Sequence, residues 1–216
     1  MKKLCIFDLD GTVLDTIPTI AYYCNYALEK NGIAPIEEKE YKYLAGNGIV
    51  SLIRGMMAYR GITDEATYQR VFSDYENAYN ADTCYMTSVF AGLRETLDEM
   101  RRRGVRLAIV SNKPDFMAKS VVERFYGKDY FFFVTGEREG IALKPDPTAV
   151  LSVVRAEGVS LDDCLYIGDT STDMKTGKNA GIFTVGVLWG FRDKKELDEN
   201  GADATVSHPS ELLALL

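Results

Sequence analysis

Long apolar runs are missing from this sequence. No stretch approaches the ~18 consecutive apolar residues that a membrane span requires. The opening run Leu4-Cys5-Ile6-Phe7 stops at Asp8 and Asp10, which interrupt any secretory leader. Cysteine is sparse: Cys5, Cys24, Cys84 and Cys164 form no C-x-x-C pair, and Cys5 and Cys164 sit inside apolar, strand-like runs. Reduced thiols in a cytoplasmic protein are expected from that usage, not a disulfide framework. Positive charge is in deficit, the net charge being −7. Neither a nucleic-acid surface nor one for anionic membranes is expected of such a chain. A small phosphorylated molecule remains compatible, provided local cations or a metal offset the acidic background. Internal repeats and low-complexity segments are absent as well.

What is present suits one core carrying an insertion: 216 residues, 46% hydrophobic and 26% charged. Short β-rich runs recur at Leu4–Asp8, Val105–Ser111, Tyr130–Thr135, Cys164–Gly168, Phe183–Leu188 and Ala204–Ser207. Most are continuously apolar, as strands buried on both faces should be. Helical patterns alternate with them at Leu93–Arg103, Phe116–Phe125, Thr148–Ala156 and Asp173–Asn179. Gly104 and Gly181 stand where glycines end helices, and Pro114 and Pro147 where prolines begin them. The alternation predicts an α/β fold, a doubly wound parallel sheet with helices on both faces.

One segment breaks the alternation. From about Pro18 to Asp82 the pattern predicts four helices, Pro18–Asn31, Glu37–Leu44, Ile49–Tyr59 and Asp64–Ala81. Ten of the thirteen tyrosines fall between residues 17 and 86, and helix packing with solvated hydroxyls is the expected use for them. The expected organisation is an α/β core of residues 1–16 and 87–216, with a helical insertion at 17–86.

Polar chemistry gathers at the strand ends. The first strand delivers Asp8 and Asp10, the second Ser111-Asn112-Lys113, and the fourth Gly168-Asp169 with Asp173 behind it; Lys144 lies in "ALKPDP". Ligands of open parallel sheets bind outside the carboxyl ends of the strands, near the point where strand order reverses. Converging carboxylates repel one another unless a cation sits among them. Mg²⁺ prefers hard oxygen ligands and takes few from protein, a need that Asp8, Asp10 and Asp169 meet. Gly11 and Thr12 suit a tight turn whose N–H groups face an anion, while Ser111 and Lys144 offer a hydroxyl and a cation to a phosphoryl group. A single aspartate at a strand end is ordinarily a turn former or a helix cap. Four partial motifs in this order, each at an element boundary, are not explained that way.

The motifs "DLDGT", "SN", the lysine of "KPDP" and "GDTSTD" resemble those of the haloacid dehalogenase superfamily of phosphotransferases, over the whole chain. The helical segment is similar to the cap that this superfamily inserts after its first strand. Gly46–Gly48 ("GNG") and the closing stretch from Gly186 look most like the phosphoglycolate phosphatase branch. The resemblance implies a Mg²⁺-dependent phosphatase of a small phosphorylated metabolite, 2-phosphoglycolate being the best single substrate, in a monomer or homodimer. It implies that Asp8 is the nucleophile and Asp10 the general acid–base. Metal ligation falls to Asp8, the Asp10 backbone carbonyl and Asp169, with Asp173 orienting ligands. Ser111, the Asn112 N–H and Lys144 bind the transferring oxygens, and Thr16 and Thr87 mark candidate hinges.

Asp10 favours a phosphatase or phosphomutase, because dehalogenases of the superfamily lack it. Related mutases often rely on a histidine–lysine pair in the cap, and the one histidine here is His208. Pyrophosphatase, nucleotide or sugar-phosphate phosphatase and mutase activities stay open, and a non-enzymatic phosphate-binding module is disfavoured because no motif residue is lost. Ala91 stands before Gly92 where many relatives have proline. Asn47 and Arg54 are the expected contacts to the leaving group.

Overall fold

The apolar runs become strands and the amphipathic segments helices in the order the pattern predicts. A computed structural model describes residues 2–216. In chain order the elements are β1 (Leu4–Phe7), β2 (Leu14–Asp15), α1 (Ile17–Lys30), α2 (Glu38–Leu44), α3 (Ile49–Tyr59), α4 (Glu65–Ala81) and β3 (Ser88–Val89). Then follow α5 (Leu93–Arg102), β4 (Arg106–Pro114), α6 (Asp115–Tyr126), β5 (Phe133–Glu137), α7 (Thr148–Glu157) and β6 (Cys164–Gly168). The chain closes with α8 (Ser171–Ala180), β7 (Phe183–Val187), α9 (Lys194–Glu199), β8 (Ala204–Val206) and a 3₁₀ turn. No helix among the described residues is long and apolar enough to cross a membrane.

Six strands form one parallel sheet in the order β5-β4-β1-β6-β7-β8. Strand order therefore reverses at β1, which β4 and β6 flank in register. The carboxyl ends of these three central strands carry Asp8, Ser111 and Asp169. Both sheet faces are covered, and the two-residue period of β1 shows how. Cys5 and Phe7 pack with Leu93 and Leu97 of α5 and Val121 of α6, while Leu4 and Ile6 pack with Val150 and Val153 of α7. Each fully buried Leu or Val contributes about 1.5–3 kcal/mol of burial free energy, so the sheet is a stiff platform for its loops.

The four helices α1–α4 build their own apolar cluster around Cys24, Leu28, Tyr41, Ile53, Met56, Val71 and Tyr75. Met117 of α6 and Phe191 join that cluster, which seats the helical unit on the α/β part. The two chain crossings between the parts lie side by side, because β2 and β3 pair antiparallel, Leu14 with Val89 and Asp15 with Ser88. Two-residue strands carry too little pattern to be read from sequence, and this pair was not anticipated. The run Tyr130–Thr135 also shifts. Asp129 takes a left-handed φ of 64°, Tyr130 and Phe131 pack into the core as a loop, and β5 starts only at Phe133.

Candidate active site

Asp8 follows β1 directly, and its N–H donates to the Ile167 carbonyl at 2.9 Å, so the sheet itself fixes the backbone that presents the carboxylate. Its neighbour across the crevice is Lys144, whose Nζ lies 2.7 Å from Asp8 Oδ1 and 2.7 Å from Asp173 Oδ1. All three side chains are almost fully buried. The Lys144–Asp8 contact is an ion pair without an aligned hydrogen bond, and Asp8 Oδ1 has no hydrogen-bond donor among the described residues. Asn112 holds the Lys144 loop in place: its Oδ1 accepts from Lys144 N at 2.8 Å and its Nδ2 donates to the Lys144 carbonyl at 3.2 Å. The same Nδ2 reaches the Gly46 carbonyl at 3.2 Å, tying the helical unit to the site.

Carboxylate oxygens of Asp8, Asp169 and Asp173 lie within 4.8 Å of one another, all buried. Asp173 is thus inside the acidic cluster, whereas the Asp10 carboxylate is turned away toward Lys113. The hydrogen bonds divide the labour among the three. Asp173 is saturated: Oδ1 receives Lys144 Nζ and the Tyr166 hydroxyl, and Oδ2 receives the Thr170 N–H and hydroxyl in the capping box of α8. A carboxylate has about four acceptor positions, so nothing is left on Asp173 for a further ligand. Asp169 uses only two, accepting from the Thr12 hydroxyl at 2.7 Å and the Phe191 N–H at 2.8 Å. Spare lone pairs therefore belong to Asp8 and Asp169.

Close backbone approach makes this packing possible. A Cβ on Gly168 would sit 2.3 Å from the Asp173 Cβ, and one on Gly11 would sit 2.3 Å from Asp169 Oδ2. Gly11 also has a φ of +84°, which L side chains rarely adopt.

The electrostatics follow from crowding. Burial first, and Asp173 next, push the Asp8 carboxyl up to about 7 despite Lys144. Burial likewise raises Asp169, with Asp173 and Asp8 adding to the rise and its two hydrogen bonds opposing it. Burial disfavours the Lys144 ammonium, but Asp173 and Asp8 outweigh it and hold the residue well above its ordinary range. Three carboxylates against one ammonium leave two uncompensated negative charges at full ionisation. Oxygen donors, burial and spare lone pairs on Asp8 and Asp169 fit a hard divalent cation.

Beside this cluster lies a cavity of about 50 Å³, lined by Asp8, Asp10, Ser111, Asn112 and Lys113 on one side. Tyr75, Tyr79, Ile20, Leu52 and the backbone of Gly46 and Gly48 face them from the helical unit. Ser111 Oγ accepts from the Lys113 N–H at 3.1 Å, which leaves its own proton for another acceptor. The structure thus brings together Asp8, Asp10, Ser111, Asn112, Lys144, Asp169, Asp173 and Thr12.

Two sequence-stated contacts are not brought to this cavity. Asn47 points to the α/β part, where its Oδ1 accepts from the Thr172 hydroxyl at 2.7 Å. Arg54 is about half exposed, paired through both terminal nitrogens with Glu65 at 2.7 and 3.0 Å and stacked 3.4 Å over the Tyr68 ring. The helical period could have shown it, since the buried residues of α3 are Leu52, Ile53, Met56 and Met57, a face that excludes position 54. The residue that sequence reasoning passed over is Lys113. Its Nζ lies 3.1 Å from Asp10 Oδ1 and 2.7 Å from the Tyr79 hydroxyl.

A strand-order reversal with a buried carboxylate, a second aspartate two residues on, a hydroxyl, a lysine and an acidic cluster defines a class of hydrolase. A family profile for haloacid dehalogenase-like hydrolases matches residues 5–187. The chain belongs to that family and is an enzyme of its hydrolase class. Over its whole length it is 30% identical to the phosphoglycolate phosphatase of Pseudomonas putida, of which it covers 79%. It is also 30% identical, over 99% of its length, to phosphoglycolate phosphatase 1 of Pseudomonas aeruginosa, again covering 79% of that protein. The crystal structure of a Lactobacillus delbrueckii subsp. bulgaricus protein provisionally named phosphoglycolate phosphatase superposes with a TM-score of 0.92. That pair is 31% identical and the match covers 98% of this chain and 97% of the other.

Proposed function

We propose that this chain is a Mg²⁺-dependent phosphatase that hydrolyses a small organic phosphate monoester through an aspartyl-phosphate on Asp8, with 2-phosphoglycolate the best single substrate. The observation that carries the reading is that Asp8, Asp10 and Ser111 line one narrow cavity while Lys144 and Asp169 back it from the sheet. In this reading an Asp8 carboxylate oxygen attacks phosphorus and the bond from phosphorus to the ester oxygen breaks. Asp10 gives its proton to the departing alkoxide. Asp10 then takes a proton from water as that water attacks phosphorus, and the bond to Asp8 breaks to release inorganic phosphate. Lys144, Ser111 and the Asn112 N–H hold the phosphoryl oxygens, whose charge is what a phosphoryl-transfer site must stabilise. Asp8, the Asp10 carbonyl and Asp169 would hold Mg²⁺, which supplies charge neutralisation at the phosphoryl oxygens.

The lining suits a small leaving group, since Ile20, Leu52, Tyr75 and Tyr79 stand opposite Asp8, Asp10 and Ser111 across the cavity. Residues 17–86 serve as the cap that encloses it, and paired β2 and β3 serve as the hinge between Thr16 and Thr87. The likeness to named phosphoglycolate phosphatases supports the choice of substrate. The test is a panel of phosphorylated metabolites assayed with Mg²⁺ and with EDTA, for the parent and for Asp8→Asn. Turnover by the parent and a loss of more than ~100-fold, about 2.7 kcal/mol, in the variant are expected. Comparable turnover by both would remove Asp8 as nucleophile.

A further inference from the structure

Lys113 is the only cation among the described residues lining the cavity. It is the next-to-last residue of β4, two residues beyond Ser111, and its side chain is 5% exposed. An ammonium carries three donors, and this one has two protein partners. It reaches Asp10 at 3.1 Å, with a longer 3.4 Å contact to the second oxygen, and the Tyr79 hydroxyl at 2.7 Å. Tyr79 is the complement. Its hydroxyl accepts from Lys113, yet its own proton has no acceptor among the described residues, although the residue is almost wholly buried. Burial, more than any neighbouring charge, keeps this phenol protonated and so a donor. Two donors, one from the sheet and one from α4, therefore meet at one spot walled by Ile20, Leu52, Tyr75 and Met117. Buried donors of this kind ask for an acceptor, and an anion satisfies an ammonium about twice as strongly as a neutral group does.

We propose that Lys113 and Tyr79 form the anion-recognition end of the leaving-group subsite, so that the preferred substrates are small phosphomonoesters whose leaving alcohol carries a carboxylate. The inference rests on the phosphatase reading above and assigns to two residues the selection of the substrate named there. Lys113 also screens that carboxylate from Asp10, which without it would repel an anionic leaving group. Arg54 does not line the cavity, being paired with Glu65 and stacked on Tyr68, and so does not supply the charge there.

The experiment compares kcat/KM for 2-phosphoglycolate with that for ethyl phosphate, which has a leaving group of similar length and no carboxylate. Parent, Lys113→Met, Tyr79→Phe and Arg54→Ala are assayed together. The ratio should fall about 10- to 150-fold in Lys113→Met, as loss of a charge-assisted bond implies. It should fall by a smaller factor, about 3- to 10-fold, in Tyr79→Phe, and stay at the parent value in Arg54→Ala. A second readout needs no turnover. Calorimetric binding of 2-phosphoglycolate to Asp8→Asn should weaken by a similar factor when Lys113→Met or Tyr79→Phe is added, while ethyl phosphate binding moves less. Equal losses for both substrates would assign Lys113 to orienting Asp10 and overturn the proposal. So would a parent that turns over both esters with equal efficiency, an outcome that leaves the phosphatase reading standing. A parent that hydrolyses no phosphomonoester would overturn the phosphatase reading instead, and the calorimetry would still decide whether the subsite prefers a carboxylate.

Discussion

Asp8→Asn should make the metal-free protein more stable while removing its activity. The folded protein raises the Asp8 carboxyl from an ordinary value of 3.8 to about 7, chiefly by burial and by Asp173. A group whose folded value lies above its unfolded one contributes stability that is full below the unfolded value. That contribution is lost as pH rises through the folded value. Metal-free protein should therefore weaken between about pH 4 and pH 7. At about 1.4 kcal/mol per pH unit the full effect is about 4 kcal/mol, and relaxation around the charge reduces it to about 2–4 kcal/mol. Asparagine stays neutral, fits the same space and leaves Lys144 paired with Asp173. Urea unfolding in EDTA at pH 5, 6.5 and 8 measures the difference. The variant should exceed the parent by about 2–4 kcal/mol at pH 8 and by less at pH 5, and Mg²⁺ should stabilise the parent more than the variant. Asp10→Asn supplies the contrast. It leaves the buried Lys113 ammonium without a carboxylate and should destabilise by about 1–3 kcal/mol. A variant Asp8→Asn less stable than the parent in EDTA at pH 8 would refute the claim that the site holds more negative charge than Lys144 can balance.

Asp10→Asn should also slow alkyl phosphates by about 10²- to 10⁴-fold and aryl phosphates by less, because a phenolate leaves with little protonation; equal losses in the two series would remove Asp10 from leaving-group protonation. EDTA should abolish turnover, and Mg²⁺ should restore it better than Ca²⁺, whose larger and looser coordination lets both Asp8 oxygens bind; full activity in metal-free buffer would reject the role given to Asp169. Gly168→Ala forces a Cβ to 2.3 Å from that of Asp173, so it should cost about 1–3 kcal/mol in thermal or urea unfolding and weaken metal binding. Unchanged stability and metal titration would mean that α8 shifts freely, against the reading of Asp173 as a fixed brace.

The sheet and most helices were legible because their signals are local. Apolar runs bounded by glycine and aspartate fall within a few residues of β1, β4, β6 and β7, and the α3 pattern Ile49–Tyr59 coincides with the helix. The acidic cluster was legible for another reason. Asp8 and Asp169 end strands that topology makes neighbours, so strand-end position alone predicts their meeting. The saturation of Asp173 was only half visible. A Thr170–Asp173 capping box is readable from the sequence, but the bonds from Lys144 and Tyr166 depend on packing across elements. The short pair β2 and β3 carries no period to read, and the start of β5 was misplaced because Tyr130 and Phe131 are apolar for loop packing rather than for pairing.

The leaving-group end was the least legible part, and the reason is physical. Charge on a helix suggests a free cation until its neighbours are known, and Arg54 is neutralised by Glu65, eleven positions along the chain in the next helix. Lys113 had the opposite disguise. In "SNKP" it carries no signal of a role, since the partners that bury it, Asp10 and Tyr79, are 103 and 34 positions away. Asp10 from the α/β part and Tyr79 from the helical unit together enclose this cation. The near-absence of histidine gives this placement its chemical meaning. His208 is spent capping the C-terminal 3₁₀ turn, so the proposed acid–base role goes to a carboxylate, Asp10. A cation from β4 stands beside Asp10, and α4 contributes a hydroxyl to the same group. In the proposed mechanism the acidic cluster with Lys144 would handle the phosphoryl group that every substrate shares, and Asp10 with Lys113 and Tyr79 the part that varies. On those roles, selectivity changes through Tyr79 of α4 and Lys113 of β4 while the carboxylates that follow β1 and β6 are kept.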